Sequence, residues 1–247
     1  MSAQPTTPAT MQIDFISDIT CPWCAIGLAH LERAIARLDG EIRITLRLQP
    51  FELNPDIGPE GEDILQYAAR KYDAAPPEVV ARQALIRSRA AEAGLRFPAR
   101  TRVYNTHDAH RLLLWAERAG RELPLKRTLL EAYHVHGANL AARDVLLQAV
   151  QDAGLDTIAA RDVLDSEAYA ATLRQRVQHW RARGVNAVPT ILIDDRTVLR
   201  GGQSAAALEV AFAAVGPAGR CLRRNPARAG TKPTPTPGVT RGSSRRR

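Results

Sequence analysis

The sequence predicts an α/β fold in which one sheet is assembled from two stretches of chain far apart in sequence. Three observations predict it. The opening reads strand, helix, strand; the close reads strand, strand, helix; and residues 51–184 between them carry helical signals and none for strands. A chain of 247 residues can bury a sizeable core, and that length suggests one or two domains.

The run Met11 to Ser17 is short, apolar and β-branched, and reads as a buried strand. Residues 22–38 place Ile26, Leu28, Leu31, Ile35 and Leu38 at helical spacing, closed by Gly40. In "EIRITLRLQ" (41–49), Ile42, Ile44, Leu46 and Leu48 alternate with polar partners, the pattern of a strand with one buried face. A strand, helix, strand order is a βαβ unit and implies parallel pairing. The helices that follow are punctuated by Pro and Gly, and three end alike, with Gly94, Gly120 and Gly154 at left-handed C-terminal caps. The intervals between these glycines are unequal, so they are recurrent caps and not a repeat array. Strand character returns in "TILID" (190–194) and "RTVLR" (196–200) across a turn at Asp194-Asp195, and a helix from about Ser204 to Val215 completes the pattern. This order is a thioredoxin-like fold interrupted by an all-helical insertion. The expected segments are a disordered N-terminus (1–10), a first sheet part (11–50), the insertion (51–184), a second sheet part (185–216) and a disordered basic tail (217–247).

The formal charge of +8 belongs to that tail. Nine of the 34 Lys and Arg lie beyond Gly216 with no acid among them, leaving 25 basic against 26 acidic residues in the rest. The tail is rich in Pro, Gly, Ser and Thr, has almost nothing apolar to bury, and lacks aromatics for stacking on bases, so it reads as a solvated extension and not a nucleic-acid arm. The start "MSAQPTTPAT" has neither the basic n-region nor the apolar h-region of a secretory signal, and no apolar run approaches a membrane span. The expected location is the cytoplasm, without membrane attachment. Three cysteines are too few for a disulfide framework, and in that compartment a disulfide is more often catalytic than structural.

Two of the three cysteines form Cys21-Pro22-Trp23-Cys24, where the first strand gives way to the first helix. Three readings compete. A structural zinc needs about four ligands, and no second Cys-x-x-Cys exists, Cys221 lies in the tail, and His30 falls within the helix pattern. Inert core thiols are the second reading. A redox dithiol is favoured by position: Cys21 stands at a helix N-terminus with Pro22 in its first turn, where unpaired N–H groups and the helix dipole stabilise a thiolate. Cys21 is then the nucleophile and Cys24, one turn further in, the resolving thiol. Trp23 reads as a substrate-facing aromatic or as packing over the disulfide. His107 and His110 share a helix face after Asn105 or Thr106 as cap. A metal site there lacks a third ligand, and His110 either lines the substrate groove or packs within the helices.

"DFISDITCPWCAIGLAHLERAI", "NTHDAHRLLLWAERAG" and "GVNAVPTILIDDRTVLRGGQ" together resemble the DsbA-family thioredoxin-fold oxidoreductases, specifically the FrnE-like branch, over about residues 11–216. The resemblance implies a cis-proline loop facing the dithiol at Val188-Pro189, with Pro22, Trp23, Val188 and Pro189 contacting substrate. It implies thiol–disulfide exchange on a disulfide-containing protein or a small thiol, with glutathione or thioredoxin as electron donor and no bound cofactor or metal. Oligomeric state, monomer or dimer, stays open. Two departures stand out. Thioredoxin and DsbA carry an acid six positions before the nucleophile, where this chain has Phe15; Asp14 and Asp18 are the neighbouring candidates for proton transfer. The related 2-hydroxychromene-2-carboxylate isomerases and kappa-class glutathione transferases carry Ser where Cys21 stands, which makes a glutathione-dependent isomerase or transferase the alternative reading, with a redox-silent peptide-binding chaperone behind it.

Removal of residues 217–247 should leave thermal melting and dithiol turnover unchanged, because that segment has too little apolar surface to join a core. A large loss of either would give the basic run or Cys221 a role.

Overall fold

A computed structural model describes residues 9–38 and 42–215. The expectations for Gly40, for Cys221 and for the tail lie outside these residues, as does most of the expected N-terminal segment. The first strand, β1 (Ala9–Ser17), begins two residues earlier than its apolar pattern suggests, inside the 1–10 segment expected to be disordered. It leads into helix α1 (Pro22–Arg37) and then β2 (Ile42–Pro50). β2 runs parallel to β1, with Ile13 opposite Leu46 and Phe15 opposite Leu48, as a βαβ unit requires.

The segment between the sheet halves is helical with one exception. A two-residue antiparallel pair, β3 (Glu62–Asp63) with β4 (Arg102–Val103), ties its start together. The expectation of an all-helical insertion is corrected to that extent. Two residues are too few to show an alternating pattern, and the pair is held by tertiary contacts: the Arg102 guanidinium donates to the Glu60 and Gly61 carbonyls. Around it run α2 (Ile64–Tyr72), α3 (Pro76–Glu92), α4 (His107–Glu117), α5 (Glu122–His134), α6 (Arg143–Asp152), α7 (Thr157–Leu164) and α8 (Ala170–Ala182). Gly94, Gly120 and Gly154 have φ of 73°, 62° and 69°, the left-handed region their cap positions demand.

The chain returns to the sheet as β5 (Thr190–Ile193) and β6 (Thr197–Arg200), which form a hairpin through positive-φ Asp194 and Asp195, and ends its described part in α9 (Ala205–Val215). The sheet order is β2-β1-β5-β6, with β5 antiparallel to β1 and Phe15 opposite Ile191. β1 is therefore central, and its alternating side chains serve two layers. Met11, Ile13 and Phe15 join the main core with Leu28 and Leu31 of α1, Phe212 of α9, and Leu112, Leu129 and Tyr133 of the insertion. Ile16 faces the other way, onto Phe51, Trp180, Val185 and Leu192. Helix α8 thus covers the second face of the sheet, so the last part of segment 51–184 serves the sheet directly, while α4 and α5 share one core with it. No helix among the described residues is long and apolar enough to cross a membrane.

Phe15 is fully buried in the strand that pairs on both sides. Phe15→Ala should lower stability by about 3–5 kcal/mol, read as a shifted denaturant midpoint with unchanged slope; a loss well below that range would mean the core beneath α1 closes over the gap.

Candidate active site

The first turn of α1 positions the two thiols. Cys21 is the N-cap residue with extended backbone, and Pro22 follows where a missing N–H removes no helical hydrogen bond. Cys24 N–H donates to Cys21 O at 3.1 Å, closing the turn. The two cysteines, both free, approach to 3.4 Å. Cys21 keeps 6% exposure and Cys24 only 1%.

Their environments push them apart electrostatically. The Cys24 thiol, followed by the Trp23 and Cys24 backbone N–H groups at the helix start, stabilises the Cys21 thiolate and holds its pKa below the ordinary thiol value, against burial and the nearby Asp18 charge. Burial, then the hydrogen bond and charge of Cys21, hold Cys24 well above that value. Cys21 therefore ionises first.

Opposite the dithiol stands the loop before β5. The Val188-Pro189 bond is cis, and Cys21 Sγ lies 3.7 Å from Val188 O. The loop closes on itself through Thr190 Oγ1, which donates to Ala187 O at 2.8 Å. Gly27 allows α1 to approach this loop: a Cβ there would lie 3.2 Å from Pro189 Cγ. Pro189 is buried behind the loop, whereas Cys21, Pro22, Trp23 and Val188 line a cavity of about 400 Å³. Its other walls include Tyr67 and Tyr72 of α2, and its cationic lining consists of Lys71, Arg82 and Arg100, with no Asp or Glu. Arg100 is fixed by donating to Thr20 O at 3.1 Å, and Lys71 by donating to Leu53 O at 2.8 Å.

Beneath the dithiol lies Asp18, fully buried. Its Oδ1 accepts from Ile19 N–H (2.6 Å), the Thr106 hydroxyl (2.8 Å) and His110 Nε2–H (3.3 Å), and its Oδ2 from Leu53 N–H (2.8 Å). Burial alone would raise the carboxyl pKa. The hydrogen bond and charge of His110, with the Leu53 and Thr106 donors, outweigh it and hold Asp18 below the usual carboxylate value. The Asp18 backbone N–H in turn faces the Cys24 sulfur.

These contacts revise several sequence expectations. His110 does not line the substrate groove: it is 1% exposed and spends its ring N–H on Asp18, because the start of α4 points into the core under the dithiol. Asn105 takes the cap, accepting from His107 N–H at 2.7 Å, which leaves Thr106 for Asp18. His107 pairs with Glu52 at 2.9 Å. Asp14, on the opposite face of β1, is engaged by Arg47 and Gln49 and points away from the thiols. Arg100 and Lys126 were not singled out by sequence. Arg100 follows no motif, but Lys126 interrupts the apolar stripe Leu125, Leu129, Leu130, Tyr133, a legible sign of a buried charge.

A cysteine pair opening a helix, faced by a cis-proline loop on this four-stranded sheet, defines a thioredoxin-type dithiol protein. A family model for the DSBA-like thioredoxin domain matches residues 12–213, and the chain belongs to that family. The protein YwbO of Bacillus subtilis (strain 168), itself uncharacterized, is 26% identical over 192 residues, covering 76% of this chain and 90% of YwbO. The crystal structure of SCO1869 from Streptomyces coelicolor, a probable DsbA oxidoreductase, superposes with a TM-score of 0.76 at 26% identity, covering 92% of this chain and 100% of that one. The cytosolic disulfide reductase DsbM from Pseudomonas aeruginosa, crystallised with GSH, shares the fold with a TM-score of 0.57 at 20% identity, over 81% of this chain and 98% of its own.

Because the folded-state pKa of Asp18 is depressed, its ionisation stabilises the fold above the unfolded carboxylate pKa of about 3.9, and that contribution is lost as pH falls below it. The stability difference between wild type and Asp18→Asn should therefore hold steady from about pH 7 to about 5 and shrink as pH falls below about 4 towards the depressed folded-state pKa. A difference that stays constant below about pH 4 as well would mean the carboxylate charge contributes nothing.

Proposed function

We propose that this chain is a thiol–disulfide oxidoreductase of the FrnE-like branch, with Cys21 as nucleophile and Cys24 as resolving thiol. The observation that carries this reading is the placement of the Cys21 sulfur, at the start of α1, against the Val188 carbonyl and at the edge of a cavity of about 400 Å³. In the reductive direction the Cys21 thiolate attacks a substrate disulfide. One substrate sulfur leaves as a thiolate and the other stays bonded to Cys21. Cys24 then attacks the Cys21 sulfur, forms the Cys21–Cys24 disulfide and expels the second substrate thiolate. Glutathione or thioredoxin returns the dithiol, and the reverse sequence oxidises a dithiol substrate. No metal or further cofactor enters any step.

The cavity supports a substrate class. Lys71, Arg82 and Arg100 in its lining, unopposed by acids, favour a disulfide bearing carboxylates, either a small molecule or an acidic peptide. Trp23, Tyr67 and Tyr72 offer apolar faces for its carbon skeleton. The cytoplasm, where thiols are kept reduced, suits a cycle that starts from the Cys21–Cys24 dithiol. Cys21 itself disfavours the isomerase alternative, whose members carry Ser at that position.

Cys24→Ser should accumulate mixed disulfides through Cys21, since attack survives while resolution is lost, and Cys21→Ser should accumulate none. Mass spectrometry after exposure to a dicarboxylate disulfide reads both. Equal capture by the two variants would remove the nucleophile assignment, and no capture by either would remove the oxidoreductase reading.

A further inference from the structure

Three cations line the cavity at Cys21, and their other contacts set them apart. The Lys71 ammonium donates to Leu53 O at 2.8 Å and to Asn54 Oδ1 at 2.7 Å, and it lies 5.3 Å from the centre of the Tyr67 ring, so its donors are already engaged. Arg82 is exposed and sits 5.1 Å over the Tyr72 ring. A hydrated charge of that kind gains little from pairing. Arg100 is half-buried and differs from both.

Arg100 stands between α3 and β4 and is fixed through backbone and side chain. Its N–H donates to Gln83 Oε1 and its carbonyl accepts from Gln83 Nε2, both at 3.1 Å. Its guanidinium spends one nitrogen, Nη1, on Thr20 O at 3.1 Å and on the Tyr133 hydroxyl at 3.4 Å. Among the described residues Nε and Nη2 have no hydrogen-bond partner. That edge is the fork a carboxylate fits, as Arg47 shows by giving Nε and Nη2 to the two oxygens of Asp14 at 2.8 and 2.7 Å. The residue that Arg100 holds carries a second uncommitted donor: Thr20 lines the same cavity, is 3% exposed, and its hydroxyl is buried without a hydrogen-bond partner. An unpaired buried hydroxyl lowers stability until some acceptor meets it. Thr20 is also joined directly to Cys21, so the hydrogen bond from Nη1 and ordinary covalent lengths keep the guanidinium within about 10 Å of the nucleophilic sulfur. No Asp or Glu lines the cavity to compete for these donors.

We propose that the Arg100 guanidinium and the Thr20 hydroxyl form a carboxylate subsite in the Cys21 cavity, which selects disulfides that carry a carboxylate on a short arm from sulfur. This rests on the oxidoreductase cycle above. The Nε and Nη2 edge of Arg100 pairs with the two carboxylate oxygens, and the Thr20 hydroxyl donates to one of them. The subsite itself forms and breaks no covalent bond. As in the cycle, the substrate S–S bond breaks, the Cys21–Cys24 bond forms, both substrate halves leave as thiolates, and the protons lost by the dithiol pass to solvent. A longer arm would carry the carboxylate past the guanidinium, and a neutral disulfide would leave both donors unpaired.

The reduced protein is mixed with dithiodipropionate, a short-armed dicarboxylate, or with neutral hydroxyethyl disulfide, and the rate of Cys21–Cys24 disulfide formation is read by mass spectrometry after alkylation. Dividing each rate by that of dithiothreitol with the same disulfide removes intrinsic reactivity. Wild type should then prefer the dicarboxylate about 10-fold or more. Arg100→Met should cut that preference about 10-fold and Thr20→Val about 3-fold, while Lys71→Met should cut it less than Arg100→Met does. Thr20→Val removes only an unpaired hydroxyl, so its thermal midpoint should equal or exceed that of wild type, and it decides the matter by itself if Arg100→Met does not fold. A wild type that reacts with both disulfides without preference overturns the proposal and leaves the cycle standing. The proposal is also overturned by an unchanged preference or a lowered midpoint in Thr20→Val, or by Lys71→Met matching Arg100→Met. Equal slowing with both disulfides in Arg100→Met overturns it too, since that residue would then only hold the Thr20 backbone. Wild type oxidised by neither disulfide overturns the cycle itself, and this proposal with it.

Discussion

Four hydrogen bonds to one buried carboxylate hold the site together. Asp18 lies where β1 ends and the chain turns into α1, and it collects donors from its own turn (Ile19), from the segment after β2 (Leu53) and from the start of α4 (Thr106, His110). The β1–β2 pairing already sets Pro50 opposite Ser17, and the carboxylate adds the start of α4 to that junction. Desolvating a carboxylate is costly, and only the full set of donors offsets it, so the loop ahead of Cys21 can take this path only when the sheet and the insertion are both in place. The same carboxylate is a fixed negative charge under the thiols. It opposes ionisation of Cys21, which prevails through the Cys24 thiol and the N–H groups of the helix start.

Much of this was legible in the sequence. Strand alternation, the helical spacing after Cys21 and the left-handed glycine caps gave the element order, and the Cys-Pro-Trp-Cys and Val-Pro stretches gave the two sides of the site. What was not legible depends on contacts across long sequence separations. His110 reaches Asp18 across 92 positions, and nothing local distinguishes a histidine that serves a buried carboxylate from one that faces a groove. The β3–β4 pair, of two residues each, is too short to leave a periodic signal and is held by Arg102 contacts with carbonyls 41 and 42 residues away. Thr106 and Asn105 divided capping and core duties in a way that either residue type could have filled.

The insertion also contributes directly to the candidate site. The start of α4 brings His110 and Thr106 to Asp18, and α2 and α3 supply Tyr67, Lys71, Tyr72 and Arg82 to the wall of the larger cavity. The thiols, the loop facing them and Asp18 belong to the sheet-forming stretches, while the insertion supplies the Asp18 partners Thr106 and His110 and the Lys71, Arg82 and Arg100 side chains of the cavity.

The core that binds these stretches is uneven. Helices α4 to α6 share the main apolar cluster with β1 and α1, but α2 contributes only to two small clusters, around Ile57, Tyr67 and Val103 and around Ala68, Ala74 and Val79. Local opening free energies follow the apolar contact a segment must surrender. The aromatic wall at Tyr67 and Tyr72 is thus held by less apolar contact than the dithiol, whose helix α1 packs in the large cluster. The fold thus pairs a deeply anchored cysteine pair with a lightly held cavity wall, so changes in that wall disturb little of the core.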